Sequence, residues 1–216
     1  MRVTLLVLLL RSIQAVDRWR LRRLLRLHPG LSIDPSASSN LAVARFELAP
    51  GAQLRIGANV STERVRGALV FRVEGGGRME VGDRTWLRTE CEPIYLSAFS
   101  GARLVIGADS WLSGCHMSAK ESLTLGIGAW VGPGCRVFDA DQHALDAEHP
   151  ERRAAVHLGA HVWITTDVTV LRGVTVGDHS VVGARSVVVH DLPAHSLAHG
   201  APAKVYGHVG DRSNAH

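Results

Sequence analysis

The sequence predicts a parallel β-helix, a three-sided solenoid of short strands, and three observations predict it. An unbroken run of six six-residue repeats, LGAHVW, ITTDVT, VLRGVT, VGDHSV, VGARSV and VVHDLP, extends from Leu158 to Pro193. Each repeat opens on an aliphatic residue (Leu158, Ile164, Val170, Val176, Val182, Val188), and its fifth position is small or aliphatic. Neither the helical period nor simple alternation through a sheet fits that pattern. Third, Trp86, Trp111, Trp130 and Trp163 each hold the sixth place of a hexad, at spacings of 25, 19 and 33 residues. Those spacings are one 18-residue coil of three hexads lengthened by seven, one and fifteen residues.

Taken in chain order, residues 1–30 form the first element. Leu5, Leu8, Leu9, Ile13, Val16, Trp19, Leu21, Leu24 and Leu25 recur at helical spacing with arginines between them, which predicts a basic amphipathic helix. Such a helix packs on the solenoid or a neighbouring subunit, or makes a peripheral membrane contact through residues 1–27. The apolar stretch Val3 to Leu10 is too short to span a bilayer, and no small-residue cleavage site follows it. Residues 31–205 form the β-helix. The segments GAQLRIGANVS, GGRMEVGDRTW and GARLVIGADSW carry the coils upstream to about residue 50. Hydrogen bonding between successive coils satisfies the parallel edges. Residues 206–216 are a carboxy-terminal tail.

The net charge of +4 is local: of 24 basic residues only Lys120 and Lys204 are lysines, and seven arginines fall within residues 1–26 against one acid, Asp17. This argues against a nucleic-acid groove spread over the fold. Three cysteines, Cys91, Cys115 and Cys135, with no CxxC pair, read as reduced thiols of a cytoplasmic protein.

Chemistry is expected where the repeat is interrupted, because a regular wall has little freedom to build a site. Hexads counted from Leu125 end at Gln142, so the fifteen-residue loop runs from His143 to His157 and opens directly after Asp139 and Asp141. An imidazole beside carboxylates suits general-base work, since its ordinary pKa is about 6.5 and an acid can fix its tautomer.

The hexads, the D-x-D-x-H loop, VWI at 162–164, RGVTVGDHSVVGARSVV at 172–188 and HGAPAKV at 199–205 resemble the maltose and galactoside O-acetyltransferase branch of the hexapeptide-repeat acyltransferases. That resemblance is specific over residues 101–205. It implies a left-handed β-helix, a homotrimer, and an acetyl-CoA-dependent O-acetyltransferase of surface-polysaccharide type with a sugar or glycan acceptor and no metal. It also implies that His143 is the general base, at a cleft between subunits. Trp111 and Ser113 would meet or orient the acceptor with Asp139 and Asp141. Trp163, Thr166, Ala184, Val189, His190 and Lys204 would line the acetyl-CoA groove. Two positions depart from the family: Thr165 replaces the usual glycine after Trp-Ile, and Ser113 replaces an acceptor-binding asparagine.

Other readings stay open. They are N-acetylation of an amino sugar, a γ-carbonic-anhydrase-like metal enzyme using His157, His161 and His179, and a non-catalytic trimeric scaffold. His161 and His179 lie 18 residues apart at the fourth place of their hexads, which predicts a stacked ladder rather than a zinc site.

Overall fold

A computed structural model describes residues 2–215, with side chains from residue 7 onward; the side chain of Leu5 lies outside the described ones. The chain winds as a three-sided prism of two seven-stranded sheets and one eight-stranded sheet. Each coil lays a strand on a first face, then a second, then a third. The Trp130 coil does so with Ser122–Leu125, Trp130–Val131 and Arg136–Phe138. Neighbouring coils pair in parallel, and Trp86, Trp111, Trp130 and Trp163 fall in one register.

The inward positions behave as the repeat requires. Leu158, Ile164, Val170, Val176, Val182 and Val188, and the fifth-place Val162, Val168, Val174, Ser180, Ser186 and Leu192, are all buried. Corners between the first and second faces turn through one left-handed residue per coil, at Asn59, Arg84, Asp109, Gly128, His161, His179 and His195. The residue two places earlier is a glycine in six of these seven coils. Beside Gly107 an added Cβ would lie 2.5 Å from the Gly126 backbone, so coils can stack at strand spacing only without a side chain there.

The prism begins at residue 31, upstream of the segments that carry the repeat. Leu31–Ile33 starts the first face, and a 3₁₀ turn at Ser39–Val43 occupies the place of a second-face strand. The helix Arg2–Leu27 closes this open end. Its Leu21 is buried with Leu24 and Leu25 packed against the core, while the buried Asp17 carboxylate accepts from Arg64 at 2.7 and 3.1 Å. At the other end Ser196–Gly200 and Ala203–His208 form an antiparallel pair on the second face, joined through a cis Ala201–Pro202 peptide, so the last strand runs past residue 205.

Two boundaries differ from expectation. The long excursion leaves the wall after Phe138 and rejoins it at Val156, so it comprises residues 139–155. His157 is a strand residue whose Nδ1 lies 2.6 Å from the Thr124 hydroxyl. A hexad count fixes the loop's length but not its edges. Here residues 139–141 have already turned out to pair with 152–154: Asp141 N–H donates to the Arg152 carbonyl at 3.0 Å and Ala154 N–H to the Asp139 carbonyl at 2.8 Å.

Candidate active site

The excursion at 139–155 is pinned at its base and open at its tip. Asp139, fully buried, accepts the main-chain N–H groups of Lys120 at 2.7 Å and Glu121 at 2.8 Å. Asp141 pairs with Arg172 of the next coil and accepts the Arg152 N–H; the Arg172 guanidinium holds its carboxyl below the usual range. Both carboxylates hold the base of the loop, and among the described residues neither bonds to His143. A buried carboxylate must find donors, and the nearest are main-chain amides of the preceding coil. His143 itself is exposed and, among the described residues, has no hydrogen-bond or ion-pair partner.

Lys120 holds the peptide just before His143. Its ammonium donates to the Gln142 carbonyl at 2.9 Å, pairs with Glu151 and lies 5.0 Å from the Phe99 ring centre. Gln142 has φ 71°, left-handed for a residue with a side chain, so the chain turns sharply into His143. The sequence signal for Lys120 was its rarity, as one of two lysines.

A second feature lies on the second face. Trp111, Ser113, Trp130 and Trp163 line a cavity of about 260 Å³ with Arg88, Cys91 and the Gly132–Pro133 turn. Trp86 stacks on Trp111 at 5.1 Å between ring centres, whereas Trp111 and Trp130 meet edge to face. The indole N–H of Trp111 is buried without a protein acceptor. Glu63 fixes the wall by accepting from the Trp86 indole at 2.8 Å and the Thr89 N–H at 2.6 Å. The Arg88 guanidinium stands 5.8 Å from both Trp86 and Trp111, and that of Arg212 5.3 Å from Trp163. Neither arginine was singled out from sequence. Arg88 opens an irregular insertion and Arg212 lies in the tail, where no repeat assigns a place.

The structure thus brings Trp111, Ser113 and Trp163 together and leaves His143 elsewhere. Its excursion springs from the corner between the third and first faces, which in a triangular prism is opposite the second face. The proposed groove residues are also divided. Thr166 and Ala184 are exposed at the corner between second and third faces, Val189 lines a cleft with Asp141, His190 is exposed nearby, and Lys204 is exposed on the terminal hairpin. Thr165 turns its hydroxyl onto the Val182 carbonyl at 2.8 Å, so the position accommodates a β-branched residue. His161, His179 and His195 stack with ring centres 5.2 and 4.9 Å apart, and the tail crosses this ladder where the Arg212 N–H donates to His179. Among the described residues no group of side chains is arranged to hold a metal.

Against known proteins, no family model matches the chain. A 72-residue stretch, 32% of the chain, is 44% identical to a Staphylococcus aureus protein named as an acetyltransferase, covering 36% of its length. The galactoside O-acetyltransferase of Escherichia coli is 28% identical over 136 residues, 61% of this chain and 64% of that protein. The chain's match thus spans about a third of the first relative and under two thirds of the second. Among solved structures, the polySia-specific acetyltransferase NeuO superposes with a TM-score of 0.61 at 19% identity, covering 88% of this chain and 85% of that one. A hexapeptide-repeat acetyltransferase of Vibrio cholerae, complexed with acetyl-CoA, gives 0.51 at 21% identity, with 91% and 89% covered. The fold is therefore the left-handed β-helix of hexapeptide-repeat acetyltransferases, and the sequence likeness points to the same proteins.

Proposed function

We propose that the protein is an acetyl-CoA-dependent O-acetyltransferase acting on a sugar or glycan hydroxyl. The observation that carries this is His143, exposed and without a partner among the described residues, raised on the longest excursion of the wall, with Asp139 and Asp141 engaged in holding the base of that loop. A neutral imidazole there accepts the proton of an acceptor hydroxyl as its oxygen attacks the thioester carbonyl. The C–S bond then breaks, and the imidazolium gives its proton to the departing thiolate, which leaves as the thiol. The thioester supplies an already activated acyl group, so holding both substrates together suffices and no protein nucleophile is needed. Burial raises the Cys115 thiol beyond the ordinary thiol range and the Cys135 thiol to about 11, which suits neither to attack.

Because His143 and the tryptophan cavity occupy opposite sides of one prism, the complete site joins the loop of one subunit to the second face of another. This fits a homotrimer. Trp111, Ser113 and Trp163 form the floor on which acceptor and thioester meet; Thr166, Ala184 and Lys204 extend the groove from that side, and Val189 and His190 from the loop side of the adjoining subunit. His143→Ala should lower kcat by roughly 10²–10⁴-fold in an acetyl-CoA consumption assay against a panel of sugars and glycans, with CoA binding retained. Activity within a few-fold of the parent would refute the assignment.

A further inference from the structure

The amino-terminal helix is docked by one of its faces alone. Asp17, Leu21, Leu24 and Leu25 turn toward the prism. On the opposite side Leu8, Leu9, Val16, Trp19 and Leu27 are exposed at 54, 57, 47, 58 and 64%. Val7 and Leu10 are exposed as well, so the first described turn is apolar on every side, a pattern that water does not favour. Arg11, Arg22, Arg23 and Arg26 stand exposed among these residues. The helix's single acid, Asp17, is buried and answered by Arg64 of the first coils. An apolar stripe flanked by cations fits an anionic surface with an apolar interior. Packing of the same helix from a second copy would instead set identical arginine rows against each other.

We propose that the outward face of this helix binds the surface of an anionic lipid bilayer. Leu8, Leu9 and Val16 enter the acyl boundary, Trp19 lies at headgroup depth, and the arginines meet lipid phosphates. The mode is interfacial, since among the described residues no helix is long and apolar enough to cross a membrane. Docking by the inner face leaves the solenoid standing off the bilayer with its coils accessible, and the proposal does not depend on the reaction assigned above.

The test is flotation of the full chain with vesicles of phosphatidylcholine alone or of equimolar phosphatidylcholine and phosphatidylglycerol. The protein should float with the anionic vesicles and be released by high salt. Arg22→Glu/Arg23→Glu/Arg26→Glu should cut the partition coefficient by at least a hundredfold, and Leu8→Asp/Leu9→Asp should abolish flotation. Val16→Gln/Trp19→Gln, a milder change at exposed positions, should weaken it without moving the melting temperature. Equal recovery with both vesicle types, or flotation unaffected by these variants, overturns the proposal. So does failure to float at all, or a variant that leaves flotation intact but dissociates the oligomer in sedimentation, which would make the face a contact between copies.

Discussion

Replacing Asp139 by asparagine separates a structural role from a chemical one. The carboxylate is fully buried and both oxygens accept main-chain N–H groups, those of Lys120 at 2.7 Å and Glu121 at 2.8 Å. Asparagine keeps one acceptor and turns an NH₂ group toward the other amide, so one charge-assisted bond is lost and a buried donor is left unpaired. Bonds to a charged group contribute about 1.5–3 kcal/mol each, and the surviving bond weakens as it becomes neutral. Relief from burying a charge offsets part of this, leaving a loss of about 2–3 kcal/mol. For a chain of 216 residues that is a fall in Tm of roughly 5–10 °C. Asp139→Ala should fall further, because both amides are orphaned. Thermal unfolding followed by circular dichroism, alongside acetyl transfer measured well below the transition, makes the comparison. If Asp139→Asn melts with the parent while KM for the acceptor rises or kcat falls, Asp139 meets substrate or His143 directly and the anchoring argument is wrong.

The other predictions concern the site and its supports. Lys120→Met should lower kcat by about tenfold with little change in KM for acetyl-CoA, since it frees the peptide before His143 without touching the groove; an unchanged kcat would deny Lys120 that positioning role. Mixing His143→Ala and Trp111→Ala chains by unfolding and refolding should restore roughly a quarter of parental activity if each site draws on two subunits, whereas mixtures no better than the separate variants would place the site within one chain. Iodoacetamide at mildly alkaline pH should modify the exposed Cys91 and spare Cys115 and Cys135, whose thiols burial keeps protonated, with mass spectrometry as the readout; because Cys91 lines the tryptophan cavity, its modification should also inhibit. Asp141 and Glu151 have folded pKa values lowered by Arg172 and Lys120 from ordinary values of 3.8 and 4.5. Their stabilisation is complete above those ordinary values and is lost as pH falls through the lowered ones, so hydrogen-exchange protection factors in residues 139–155, corrected for intrinsic exchange at each pH, should fall below about pH 4 and stay level above about pH 5.

How far the sequence discloses this molecule depends on how far the repeat extends. The coil length, the Trp86-to-Trp163 column and the inward aliphatic residues are legible because an 18-residue period leaves a side chain no other place. The ladder at His161 and His179 follows from the same count. The insertions are legible in length alone. Which residues of 139–155 anchor it and which stand free depends on amides of the preceding coil at Lys120 and Glu121, and on Arg172 of the next, and no local pattern names those donors. Proximity in sequence sets Asp139 near His143 but does not disclose that its oxygens go to the Lys120 and Glu121 amides. The first coil is obscured differently, since the 3₁₀ turn at Ser39–Val43 interrupts the hexad pattern where the helix must seat.

The same regularity constrains where catalysis can be built. A wall of two-residue strands and left-handed corners fixes each outward side chain at strand spacing from its neighbours in the coils above and below, which aligns aromatic rows such as the tryptophans but cannot converge groups from different faces. Convergence needs an excursion, and this chain has two kinds. The short one after Arg88 is held at Thr89, whose N–H donates to Glu63, and at Glu92, which accepts the N–H of Gly134. The long one at 139–155 leaves from the opposite corner, held at its base by Asp139, Asp141 and Lys120, with His143 turned outward. A loop anchored so firmly at one end and unsupported at its tip by its own chain is arranged for a surface that chain does not provide. In the trimer proposed above, the tryptophan cavity of another copy would offer that surface, with an unpaired indole N–H and a guanidinium at its rim, and each subunit would lend a base to one cavity and a cavity to another base.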